Sequence, residues 1–330
     1  MEKQVRIKAI ILTVFLTGNL ASGQQLPVYS QYLYNKFLIN PSIAGSDGYT
    51  SVNLTAREQW VGYEGAPRTF SFAVQSRILK RSYILKQTNV RRQIYRPKSD
   101  GKVGLGAHVF SDRNGLINRT GFQASYAYHT WLQNSTQLSF GLSLNGYHYK
   151  IDQDAINFED NNDPLLNNSL RRGLFIPDAA FGVSLLNAKY SFGFSADQLF
   201  EASAKLGGAA AYQNFSLERQ YYLFGSYDFS HGPYNIIQPS FLIMSSEQLQ
   251  PQADFGVTYI FHDDFWAGLA YRTSKALIST VGVKYQNIFM GYAFDFTLSE
   301  IQRVTYGTHE ITFALKFGDN KRKYRWLDRY

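Results

Sequence analysis

The 330-residue chain contains no cysteine, which excludes a disulfide framework, thiolate metal sites and a cysteine nucleophile together. Charge is also scarce. Only 18% of residues are Asp, Glu, Lys or Arg, against about 25% in an average soluble domain, which argues against a disordered or solvating chain. Long hydrophobic runs are missing as well: beyond the N-terminal stretch nothing approaches the ~20 consecutive apolar residues a spanning helix needs. Mean hydropathy is −0.27, so a bundle of membrane helices is excluded. What is abundant is aromatic, with 24 Tyr, 25 Phe and 4 Trp making up 16% of the chain. Low charge beside so many aromatics leaves an all-β protein, soluble or membrane-embedded.

Residues 1–23 read as a cleavable secretory signal peptide. Lys3, Arg6 and Lys8 form its basic start, residues 9–16 its apolar core, and Ala21-Ser22-Gly23 a small-x-small cleavage site. Cleavage would start the mature chain near Gln24. It would also lower the formal charge from +8 to +6, because three basic residues and Glu2 leave together. Export argues against nucleic acid as a partner of the remaining basic chain.

From Tyr49 onward, apolar and small or polar residues alternate with the period of a β-strand. Ile311, Phe313, Leu315 and Phe317 share one face, while Thr312, Ala314 and Lys316 share the other. Fourteen such segments are expected, at 49–59, 68–77, 102–111, 120–131, 136–150, 179–186, 189–198, 218–229, 236–245, 251–261, 265–272, 277–285, 288–296 and 309–317. One greasy and one polar face fit a soluble sandwich or a transmembrane barrel. Aromatics near strand ends, among them Tyr49, Trp60, Tyr63, Trp131, Tyr147, Tyr149, Tyr259, Trp266, Tyr271, Tyr285 and Tyr292, suit the interfacial girdles of a barrel. Together with the signal peptide they favour an all-β, transmembrane antiparallel β-barrel of about 14 strands in the outer membrane, in contact with its lipid. The domain reading is a signal peptide (1–23), an N-terminal periplasmic or plug segment (24–48) at or inside the periplasmic mouth, a barrel (49–317) and a basic periplasmic tail (318–330).

The connections after the fourth, sixth, tenth and twelfth segments are terse, as periplasmic turns should be, and those after the third, fifth, seventh and thirteenth are longer, but the long connection 77–101 after the second breaks the pattern. Charge differs between the two rims. The longest outer loop, within 151–178, is acidic in its first half through Asp152, Asp154, Glu159, Asp160 and Asp163. The connection 77–101, assigned to the periplasmic side, is basic and includes Arg91 and Arg92, and the tail carries Lys321 and Arg322. These charged residues are candidate partner contacts.

Chemistry is hard to find. Gly104-Leu105-Gly106 lies within a strand and lacks the third glycine and helix of a phosphate-binding loop, so small residues on a strand face explain it better. The six histidines have no ligand spacing. Asp160-Asn161-Asn162-Asp163 offers oxygens to calcium but lacks the glycine and closing glutamate of an EF-hand loop. No cofactor is expected, and no serine, histidine and acid trio stands out.

Several motifs resemble the PorP/SprF family, outer-membrane proteins of the type IX secretion system and its gliding-motility branch. They are Gln31-Tyr32, Asn40-Pro41-Ser42-Ile43-Ala44-Gly45, Arg57-Glu58-Gln59-Trp60-Val61-Gly62 and Gly65-Ala66-Pro67-Arg68-Thr69, followed by Asp112 with Gly115, Tyr126-Ala127-Tyr128-His129, residues 138–142, and His309-Glu310-Ile311. The resemblance covers nearly all of the mature chain. It implies a non-enzymatic barrel that assists export or surface anchoring of a large secreted adhesin by binding its type B C-terminal domain. It also implies contacts with type IX periplasmic machinery or a peptidoglycan-binding subunit. The alternative is an outer-membrane solute transporter of 14-strand barrel type, and a third class is an outer-membrane hydrolase.

Overall fold

A strand with one apolar and one polar face must protect its hydrogen-bonding edge, and closing the sheet on itself removes that edge. The computed structural model describes residues 29–78, 102–132, 136–151, 173–200, 203–206, 213–232, 234–247, 251–262 and 264–317. The strands in chain order are β1 (Thr50–Glu58), β2 (Arg68–Ile78), β3 (Val103–Asn114), β4 (Ile117–Trp131), β5 (Gln137–Ile151), β6 (Leu174–Leu186), β7 (Tyr190–Asp197), β8 (Ser203–Leu206), β9 (Gln213–Ser216), β10 (Gln220–Tyr227), β11 (Phe229–His231), β12 (Asn235–Ser246), β13 (Gln252–Phe261), β14 (Phe265–Arg272), β15 (Ala276–Tyr285), β16 (Ile288–Thr297) and β17 (Thr308–Phe317).

Fourteen of these form a closed antiparallel barrel. The ring shuts where β1 pairs with β17, from Thr50 opposite Phe317 to Glu58 opposite His309. β10 pairs directly with both β7 and β12, so β8 and β9 stand apart as a separate two-stranded hairpin. β11 is a three-residue addition paired with the start of β12. All fourteen expected segments correspond to barrel strands.

The usual distribution of side chains is inverted. Leu54, Phe72, Leu144 and Leu269 point outward and are exposed, whereas Ser51, Asn53, Thr55 and Arg57 point into the lumen and are buried. Among the described residues no helix is long and apolar enough to cross a membrane, and the crossing elements are strands. The aromatics expected in girdles divide in the same way. Tyr259, Tyr271, Tyr285 and Tyr292 face outward, but Tyr147 and Trp266 are buried in the lumen because strand parity, not proximity to a strand end, sets the facing.

Both ends of the described barrel, Thr50 and Phe317, lie at one mouth, here termed the terminal end. Its turns include 187–189 and 286–287. The opposite, far end carries 59–67, 115–116 and 298–307, together with the β8–β9 hairpin between β7 and β10.

Candidate functional site

The lumen is filled by the segment that precedes β1. Phe37 and Ala44 are completely buried, and Tyr32 and Ile43 nearly so. These residues pack on the lumenal side chains Ala73, Ala127, Leu186, Phe224 and Leu242, so the main hydrophobic core lies inside the barrel. The segment runs from Tyr29, in the far half, to Gly48 at the terminal end, and is fastened at three levels.

At the upper level Glu310, only 1% exposed, receives two backbone donors: Ser30 N–H to Oε2 and Gln31 N–H to Oε1, both at 2.8 Å. The Ser30 hydroxyl donates to Asp295 (2.7 Å) and accepts from Arg57 (2.8 Å). Arg57 bridges Asp295 at 2.8 Å and Glu310 at 2.9 Å, while Arg272 bridges Asp254 at 2.8 Å and Asp295 at 3.3 Å. Buried carboxylates and guanidinium groups are held this way because desolvated charge is stable only when paired and hydrogen-bonded.

At the middle level lie two short 3-10 turns, Lys36–Leu38 and Pro41–Ile43, the second of them against β4, β5 and β6. Asn40 caps the second. Its side-chain oxygen accepts from Ser42 N (2.9 Å) and Ser42 Oγ (2.7 Å), while its amide donates to the Val183 (3.2 Å) and Phe194 (3.0 Å) carbonyls. Pro41 follows at the first turn position, where its missing N–H costs nothing. Lys36 donates to Ser191 at 2.8 Å, and burial pushes its ammonium down to about 7, with the Asp228 carboxylate acting in the opposite direction.

At the lower level Arg77 donates to the Gly45 (2.9 Å) and Ser46 (2.8 Å) carbonyls. His129 Nε2 meets the Ala44 carbonyl at 2.9 Å; a carbonyl only accepts, so Nε2 carries the hydrogen and Nδ1 receives one from Ser139 or Gln137. Lys316 pairs with Asp47 at 3.3 Å. Gly45 adopts a left-handed φ of +65°, and a β-carbon there would lie 2.7 Å from the Ser76 carbonyl oxygen.

Glycines on the lumenal face make room for this segment. A β-carbon at Gly104 would lie within bonding range of the Ala44 carbonyl, at Gly106 inside the Phe37 ring, at Gly141 on Ser42 N, and at Gly182 on the Asn40 side chain. The Gly104-Leu105-Gly106 run is therefore a seat for a second stretch of backbone.

Signature residues of 59–67, with Asp112 and Gly115, assemble at the far end, away from the lumenal anchors. Gln59 N–H bonds to the Pro67 carbonyl (2.8 Å), and Ala66 N–H to the Tyr63 carbonyl (3.2 Å). Gly115 N–H reaches the Gly65 carbonyl at 3.0 Å, and Val61 exchanges backbone bonds with Gly307 and Tyr306. Trp60 takes a left-handed φ of 51°, and Gly62 lies against the Tyr306 ring. Asp112 accepts from Thr69 (2.7 Å) and Arg119 (3.3 Å). The signature thus divides into a lumenal anchor, a braid of three far-end connections, and outward wall residues such as Tyr126, Tyr128 and Leu142.

Asp152, Asp154, Glu159, Asp160, Asp163, Arg91, Arg92, Lys321 and Arg322 lie outside the described residues, as do the signal peptide, the tail and the oxygen-rich run 160–163. Of the lumenal network, Arg57 and Glu310 fall within the signature motifs read from the sequence, whereas Ser30, Asp254, Arg272 and Asp295 do not. The network's available signal was formal charge on the polar face of strands.

Comparisons place the chain beside other barrels. It is similar to the P. putida toluene transporter TodX (7% identity, covering 85% of this chain and 93% of that chain, TM-score 0.44). It is also similar to the CymD monoaromatic hydrocarbon channel (9%, 90% and 95%, TM-score 0.47) and to the KdgM porin (9%, 82% and 99%, TM-score 0.35). None of the curated proteins compared with the chain matches it. The model of the type IX secretion system membrane protein PorP/SprF matches residues 21–315, and the chain belongs to that family as an outer-membrane β-barrel.

Proposed function

We propose that this barrel is a plugged platform of type IX secretion that assists export or surface anchoring of a large adhesin-like protein by engaging its type B C-terminal domain, with a link to gliding motility. The observation that carries this reading is the filled lumen. A wall whose own N-terminal segment is held by hydrogen bonds to the buried, ion-paired Glu310 and Asp295 and by glycine seats suits a docking scaffold better than a solute channel. We take both termini as periplasmic, on the terse connections 187–189 and 286–287 at the terminal end and with 77–101 as the exception, so that the far end faces outward. The signature braid of 59–67, 115–116 and 298–307 then stands on the extracellular rim, beside the acidic outer loop.

On this reading the outer loops contact the exported protein, while 77–101 and 318–330 contact periplasmic machinery or a peptidoglycan-binding subunit. The role is non-enzymatic. Deleting the gene tests it: a large surface protein should vanish from the cell surface or appear in the medium. Loss of solute uptake alone, with surface proteins unchanged, would support the transporter instead. Crosslinks from Asp160 should recover the exported protein and crosslinks from Arg92 periplasmic components; the reverse pattern would overturn the assignment of sides.

A further inference from the structure

Three buried oxygens without a hydrogen bond gather on the lumenal face of β5 and β6. Ser143, Asn145 and Asp178 are only 4%, 5% and 2% exposed, yet Ser143 Oγ, Asn145 Oδ1 and Asp178 Oδ2 bond to no described residue. Strand register brings them together. Asn145 lies directly opposite Asp178, and Ser143 opposite Ala180. Phe181 pairs with Ala196 on β7, so Asp197 stands one step beyond, beside Ala180. The Asn145 amide donates to Asp197 Oδ1 at 2.7 Å, which fixes the nitrogen end of that side chain and keeps its oxygen beside the same carboxylate.

A buried oxygen left without a partner is costly, and a carboxylate oxygen more so. Asp178 Oδ1 accepts from the Ala179 (2.7 Å) and Phe200 (3.0 Å) amides, which leaves Oδ2 over. Asp197 Oδ1 accepts from the Gln198 amide at 2.8 Å, while Oδ2 meets only the Tyr147 hydroxyl, at 3.4 Å. Among the described residues neither carboxylate is ion-paired. Two guanidinium groups stand nearby, each with a carboxylate of its own. Arg119, opposite Tyr149, pairs with Asp112 at 3.3 Å, and Arg219, which reaches the Leu199 carbonyl, pairs with Glu247 at 3.0 Å.

We propose that Asp178, Asp197, Asn145 and Ser143 bind one calcium ion inside the far half of the barrel. Two carboxylates with amide and hydroxyl oxygens are the donors a hard divalent cation takes, and neutral oxygens and water can complete its shell. Imidazole is missing from the set, and among the described residues no three His, Asp or Glu side chains are grouped for a metal, which disfavours a transition ion. The ion joins β5, β6 and β7 to residues 198–200, from which the β8–β9 hairpin departs. Asp197 ends β7 at the far end and is only partly buried, so the ion reaches the site from that mouth. None of the residues that fasten the N-terminal segment takes part.

Isothermal titration of the full-length barrel in detergent with calcium chloride, after treatment with a chelator, tests the proposal. The wild type should bind one ion with a Kd of about 10⁻⁴–10⁻³ M. The isosteric changes Asp178→Asn and Asp197→Asn should each weaken binding by about tenfold or more. Asn145→Asp adds charge at the same place and should tighten calcium binding, a gain that a merely structural role would not give. Calcium should also slow hydrogen exchange at the Gln198 and Phe200 amides of the wild type, but not of the double asparagine variant. Heat-modifiable gel mobility verifies that each variant is a closed barrel. A wild type that binds no calcium overturns the proposal and leaves a carboxylate pair sharing a proton. Calcium held undiminished by the double variant overturns it too, and would place the ion in another oxygen-rich stretch such as 160–163.

Discussion

Glu310 shows how a barrel residue can act on a segment far away in sequence. It accepts two backbone N–H groups from Ser30 and Gln31 and an ion pair from Arg57, all in a desolvated setting. Glu310→Gln keeps the shape but removes the charge, leaving the two guanidinium groups with one fewer counterion. Breaking a buried pair in this way costs about 3–5 kcal/mol. The expected result is faster hydrogen exchange at the Ser30 and Gln31 amides and a lower melting temperature in detergent; unchanged exchange would contradict the role. Gly182→Val tests the seat instead, since a β-carbon there would clash with the Asn40 side chain. It should displace the middle of the segment and expose a cysteine placed at Ser42 to labelling. Little of this was legible in sequence: Arg57 lies 238 positions from Asp295 and 253 from Glu310, and no local pattern links them. The lumenal glycines were legible as small residues on a strand face, but what they accommodate was not.

The strands themselves were readable because each must place apolar side chains toward lipid and small or polar ones inward, and that requirement writes period two into the chain. Extents were misread where the contrast fades. β4 begins at Ile117 and β6 at Leu174, earlier than expected, in stretches containing Asn118, Arg119, Pro177 and Asp178. The β8–β9 hairpin was missed because four-residue strands are too short to show a period. At the far end, Gly62 takes a φ of +95°, and a β-carbon there would approach the Tyr306 ring to 2.9 Å. Gly62→Ala should loosen the braid by about 1–2 kcal/mol, seen as faster exchange at the Val61 and Tyr306 amides. The melting of the barrel should barely move, since the wall's own pairing is untouched; a large drop would show that the braid supports the barrel as a whole.

For the whole molecule, low charge and high aromatic content acquire separate explanations. Aromatic and aliphatic surface faces lipid, most strand charge is turned into the lumen, and there it binds the chain's own N-terminal segment. The central claim is that this segment closes the lumen and makes the barrel a platform. Conductance in planar bilayers tests it most directly, comparing the full-length barrel with a form lacking residues 30–46. The fourteen paired strands should still close without the segment, because none of their ladder bonds involves it. The account predicts that the full-length barrel is electrically silent and that the deleted form conducts steadily. A full-length barrel that conducts as well as the deleted form would contradict it.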